Sequence, residues 1–124
     1  TLVHVGGDPV VGLPLPEVIK LFEADPDTKA VAMFGEIGTT QEEQVADLIE
    51  RGEFTKPLVA FIGGKAAKSG TRFSHAGAII EGGRGTHEGK VKRLREVGAV
   101  VVDAFDQIPQ AMKRVLQERG ILPT

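Results

Sequence analysis

The chain contains no cysteine, which rules out a disulfide framework and any thiol nucleophile; this suits a reducing cytoplasm without proving one. Only three histidines occur, with no spaced set of carboxylates, so there is no metal-ligand cluster. Positive charge is not in excess either. Fifteen Lys and Arg stand against 17 Asp and Glu, for a net charge of -2, and the basic residues are interspersed rather than gathered into a run, which argues against nucleic acid as a partner. No apolar run approaches the ~20 residues of a membrane span, and the N-terminus lacks a basic start followed by a long apolar stretch. A soluble protein without a membrane partner is expected. Methionine is absent from position 1, where a threonine suggests a processed or excised piece. The 124 residues have the size of one domain, here residues 1–124, and can bury roughly two-thirds of the unfolded surface.

What is present is an alternation of short apolar runs and helical patterns. Leu2-Val3-His4-Val5, Lys29 to Phe34, Leu58 to Ile62 and Ala99 to Val102 resemble buried strands, most of them continuously apolar, as in parallel sheets covered on both faces. Between and after them lie four helical patterns: Leu15 to Ala24, Gln41 to Arg51, Thr86 to Val97 and Ile108 to Arg119. Thr39 or Thr40 can cap the second, with Glu42 or Glu43 three residues on. Gly52, Gly98 and Gly120 sit where helices should stop. The order β-α-β-α-β-loop-α-β-α implies right-handed crossovers and an α/β, doubly wound parallel sheet.

Glycine is placed with regularity. The first run leads into Gly6-Gly7-Asp8-Pro9, the second into Gly35-Glu36-Ile37-Gly38 and the third into Gly63-Gly64-Lys65. Three Gly-rich segments therefore leave three strand C-terminal ends, the edge at which open α/β sheets bind ligands and present helix N-termini to anions. Sharp βα turns alone would also call for these glycines. The stretch from Gly63 to Gly89 holds half of the 16 glycines and surrounds His75, a setting that marks a turn, a close backbone approach or a binding loop. His4, in an apolar run, is expected as a satisfied core histidine, and His87, at a helix start, as an exposed one. Lys65, Lys68 and Arg72 flank His75 and could meet phosphate or an acidic partner, although loop lysines are usually only solvated.

Taken together, Gly6-Gly7-Asp8-Pro9, Gly35-Glu36-Ile37-Gly38 with its acidic helix, Lys56-Pro57, Ser74-His75-Ala76-Gly77-Ala78-Ile79-Ile80 and Gly83-Arg84-Gly85-Thr86 resemble the C-terminal ligase domain of the succinyl-CoA synthetase alpha subunit. The order and spacing of these motifs cover nearly the whole chain. The wider family of NDP-forming acyl-CoA ligases, which includes malate-CoA ligase, citryl-CoA synthetase and ATP-citrate lyase, shares the pattern.

That resemblance implies a flavodoxin-like domain lacking the family's first strand and helix, as in a fragment of a longer alpha subunit. It implies that His75 is the histidine phosphorylated during the reaction and that Glu36 is the glutamate pairing with it. An unperturbed imidazole, with a pKa of ~6.5, is largely the neutral nucleophile at pH 7, and a carboxylate on its second nitrogen would fix the tautomer. Gly35, Gly38, Gly63, Gly64, Ser74, Ala76 and Gly77 become candidates for holding the phosphate or shaping its loop. CoA, and ATP or GTP with Mg2+, would bind mostly outside this chain, the former on a Rossmann-like CoA-binding domain and the latter on an ATP-grasp beta subunit. The expected location is the cytoplasm, or the mitochondrial matrix in a eukaryote. A citrate- or malate-directed relative is the alternative enzyme, and a docking module in which His75 is never phosphorylated is the alternative class.

Overall fold

The computed structural model describes residues 1–64 and 86–123. His75, Ser74, Ala76, Gly77, Lys65, Lys68 and Arg72 lie outside the described residues. Within them, the helices are α1 (Leu15–Ala24), α2 (Gln41–Glu50), α3 (His87–Glu96) and α4 (Ile108–Glu118), the last preceded by a 3-10 turn at Phe105–Gln107. The strands are β1 (Val31–Glu36), β2 (Leu58–Gly63) and β3 (Val100–Val102), all parallel and ordered β1-β2-β3. The doubly wound α/β arrangement expected from the alternation is present: α1, α2 and α3 pack on one face and α4 on the other.

Which side chains face which layer follows from the period-two alternation of a strand. Val31 and Met33 of β1, Leu58, Ala60 and Ile62 of β2 and Val101 of β3 point to the three-helix face, where they meet Ile19, Val45, Leu48 and Leu94. Val59 points the other way, onto Ala111 and Val115 of α4. β2 is the central strand and is buried on both faces, which explains its continuous hydrophobicity. β1 alternates buried and exposed positions because its second face is open. There Phe34 clusters with Phe61 and Phe105 at ring separations of 5.3–6.0 Å.

One expected strand does not form. Leu2 to Val5 has no ladder, and Leu2, Val3 and His4 are exposed. An extended run becomes a strand only through backbone pairing, and among the described residues β1 pairs with β2 alone. His4 is therefore not a core histidine. The second run is also displaced: the ladder begins where Val31 N donates to Pro57 O at 2.9 Å and continues to Glu36, two residues beyond Phe34.

Three helices stop where the glycines were read. Gly52, Gly98 and Gly120 take positive φ values of 76°, 93° and 72°, the left-handed geometry that ends a helix without a Cβ clash. α1 ends differently. Lys56 Nζ donates to Phe22 O and Asp25 O, at 2.7 and 2.6 Å, placing a cation on the carbonyls at the helix C-terminus.

Candidate functional site

The parallel ladder sets Gly35 opposite Ile62 and Glu36 opposite Gly63, so the second and third Gly-rich turns emerge side by side. Their contact is close. A Cβ on Gly64, at φ 89°, would lie 2.9 Å from Cγ1 of Ile37, and one on Gly63 would stand 3.7 Å from Gly35 O. Gly38, at φ 119°, turns the chain into α2. Gly35 itself lies beneath Glu42, because a Cβ there would be 2.8 Å from Glu42 Cγ and 2.8 Å from Ile62 Cδ1. Each of these glycines allows one backbone to reach another element, which is reason enough for its presence.

The Glu36 side chain is half-buried at this edge, and its Oε1 is shielded from solvent. The first Gly-rich segment reaches the same region. Gln41, the first residue of α2, donates from Nε2 to Gly6 O at 2.9 Å and accepts from Leu15 N at 2.7 Å. It thereby staples both ends of the 6–15 loop to the start of α2. The three Gly-rich turns thus share one side of the sheet, as expected. Only the second and third belong to strands.

The first turn of α2 departs from the expected capping. Thr40 occupies the N-cap position but its side chain makes no capping bond. Glu42 and Glu43 instead face α3, where Lys90 Nζ donates to Glu42 Oε1 at 3.1 Å, to Glu43 Oε1 at 2.6 Å and to Thr39 O. Lys90 is completely buried and Glu42 nearly so, at 0% and 4% exposure. Burial pushes the Glu42 carboxyl up from its ordinary pKa, an effect that Lys90 opposes only in part. α3 is capped in the usual way, Thr86 Oγ1 accepting from Gly89 N at 3.1 Å. His87, expected to be exposed, is half-buried at its first residue.

Lys90 and Gln41 are the polar residues that reading the sequence overlooked. A signal existed for Lys90: it lies four residues before Leu94, and hence on the apolar face of α3. No comparable signal marks Gln41.

The geometry can hold a carboxylate beside two glycine turns and two helix starts. A hollow of about 210 Å³ between α1 and α2 is lined by helix residues such as Lys20, Gln44, Asp47 and Arg51 rather than by the strand-end turns, and cofactor pockets run to roughly 300–1,000 Å³. Among the described residues no group of three His, Asp or Glu is placed to hold a metal ion. Nor, among them, is any helix long and apolar enough to cross a membrane.

The CoA-ligase family model matches residues 1–100. This chain belongs to the CoA-ligase family. It is 47% identical to a subunit of an ADP-forming sulfoacetate-CoA ligase from an Acholeplasma species, over 98% of this chain and 40% of that protein. It is 48% identical to a succinate-CoA ligase (ADP-forming) alpha subunit from Archaeoglobus fulgidus, over 94% of this chain and 40% of that one. Among solved structures it is similar to the ATP citrate lyase of Methanosaeta concilii in complex with (3S)-citryl-CoA, with a TM-score of 0.84 and 30% identity over 96% of this chain and 20% of that chain. The CoA-ligase chain described here therefore spans about 40% of the length of these curated relatives.

Proposed function

We propose that residues 1–124 are the phosphohistidine-carrying domain of a longer alpha-type subunit in an NDP-forming acyl-CoA ligase, with His75 as the relay and Glu36 as its orienting carboxylate. The observation that carries this reading is positional. Gly64, the last described residue before the stretch containing His75, packs on Ile37 of the Glu36 turn. The chain is next described at Thr86, and the first turn of α3 is tied through Lys90 to Thr39 of the same turn. Both entry and exit of that stretch are thus fastened at the edge where Glu36 stands.

In the proposed reaction a neutral ring nitrogen of His75 attacks the γ-phosphorus of a nucleoside triphosphate, and the P–O bond to the diphosphate breaks with its electron pair leaving on the diphosphate. The phosphoryl group then passes to a carboxylate oxygen of the acid, giving an acyl phosphate and restoring the imidazole. CoA attacks the acyl carbon as its thiolate, and phosphate departs. Glu36 accepts from the other ring nitrogen, fixing the tautomer and stabilising the cation that develops. Backbone N–H groups of the glycine turns suit the transferred phosphoryl oxygens, with Gly35, Gly38, Gly63, Gly64, Ser74, Ala76 and Gly77 as the residues to test. CoA is assigned to a CoA-binding segment of the same subunit, and the nucleotide, ATP or GTP with Mg2+, to an ATP-grasp partner subunit.

Succinate is the proposed acid. Relatives named for succinate and for sulfoacetate match this chain to nearly the same degree, at 48% and 47% identity, so sulfoacetate belongs beside it in the assay, followed by malate and citrate. The test uses the full-length subunit assembled with its partner, supplied with Mg2+ and ATP labelled on the γ-phosphate. Acid-labile, alkali-stable label should appear on this subunit in the wild type and not in His75→Asn, and the correct acid plus CoA should discharge it. Absence of label from the wild type refutes the relay and leaves a docking role.

A further inference from the structure

We propose that Lys90 is a positioning residue for the ligase reaction, a buried clamp that fixes the Gly35–Thr40 turn, and with it Glu36, relative to the start of α3. The inference rests on the relay reading for its chemistry but on contacts within the described residues for its geometry.

A lysine with no exposed surface is expensive to keep, and its ammonium can be tolerated only if its donors find oxygen partners. Lys90 finds three, and all of them come from the turn following β1 or from the first residues of α2: Thr39 O, Glu42 Oε1 and Glu43 Oε1. The Thr39 carbonyl, which Lys90 holds directly, lies just before the N-cap of α2. Glu42 carries the same constraint back to the other end of the turn, because its Cγ lies against the bare backbone of Gly35. Lys90 thus bonds residue 39 directly and reaches the neighbourhood of residue 35 through the Glu42 side chain, with Glu36, the last residue of β1, between them. Other cations serve other places: Lys56 the end of α1, Arg93 Asp47 and Glu50 further along α2, and Arg95 Val101 O.

Lys90 touches no reacting atom in this scheme. Its contribution is to limit the motion of a carboxylate whose misplacement by an ångström can lower a rate by as much as ~100-fold. A clamp of this kind acts on turnover, whereas an element of general packing acts on stability.

The experiment uses the full-length subunit assembled with its partner, and whichever acid the wild-type panel selects. Lys90→Met leaves Glu42 buried without its cation, a strongly destabilising change, so the double variant Lys90→Met/Glu42→Gln is made beside it, replacing the pair by neutral groups of similar volume. The double variant should unfold within a few degrees of wild type. It should nevertheless lose roughly 10- to 100-fold in kcat, keep its KM for nucleotide and CoA within about two-fold, and show faster amide hydrogen exchange across residues 36–41. Wild-type kcat in the double variant, or unchanged exchange across 36–41, overturns the clamp and leaves the pair a packing feature. Labelling of wild-type His75 is scored separately. Its absence refutes the relay alone, since the exchange measurement and turnover of the acid still decide whether Lys90 positions the turn.

Discussion

Gly35→Ala isolates the packing on which the site depends. Gly35 has no positive φ, so alanine brings no backbone strain and the cost is steric. The new methyl would stand 2.8 Å from Glu42 Cγ and 2.8 Å from Ile62 Cδ1, where ordinary contact needs at least ~3.5 Å. Both neighbours must therefore yield by several tenths of an ångström. Neither is free to do so: Ile62 is 1% exposed in the core, and Glu42 is held by the buried Lys90. Overpacking of this kind costs about 1–3 kcal/mol, while the stiffer unfolded chain offsets about 0.4–1 kcal/mol of it. The expected net loss is about 1–2 kcal/mol, or roughly 1 M in the urea midpoint at an m-value of ~1–3 kcal/mol/M. Adding Ile62→Val deletes Cδ1, one of the two atoms in the way. That change alone should cost about 0.5–1.5 kcal/mol, and in the Gly35→Ala background about 0.5 kcal/mol less or better, a coupling a double-mutant cycle resolves. A Gly35→Ala variant as stable as wild type, or additive effects at 35 and 62, would show that Glu42 and Ile62 do not close over this backbone.

Three further outcomes are expected. Because burial raises the Glu42 pKa in the folded state, the stability linked to this group is full below its unfolded value and is lost as pH rises through the folded one; the stability of Glu42→Gln relative to wild type should accordingly improve between pH 4 and pH 7, measured from urea midpoints at both. Lys56→Met removes both bonds to the carbonyls ending α1 and should destabilise by about 1–3 kcal/mol, with the increase in amide exchange concentrated at residues 22–28. Gln41→Ala releases Gly6 O and Leu15 N together, so limited proteolysis should cut between residues 6 and 15 several-fold faster while the rest of the chain keeps its wild-type rate.

The four helices and the strands at β2 and β3 were legible in the sequence because their signals are local. Leu15–Ala24 matches its apolar period residue for residue, and the helix-ending glycines announce positive φ by their identity. The alternation of elements was enough to imply parallel strands with helices on both faces, and the strand-end glycines pointed to one edge of the sheet, where the second and third turns do emerge side by side. The family, too, was readable from the motifs and their spacing, and the CoA-ligase model match over residues 1–100 establishes it. Tertiary structure decided the rest. Leu2 to Val5 has a strand's composition, yet pairing requires a neighbour that composition does not specify, and none of the described strands supplies one. Glu42 and Glu43 have the spacing of a helix cap, but they turn to Lys90, whose place beside them depends on how α3 packs on α2, 47 and 48 residues away in sequence. A lysine's burial and a glutamine's grip on a loop 35 residues upstream are properties of long-range contacts, formed only when the whole sheet has brought its C-terminal edge together.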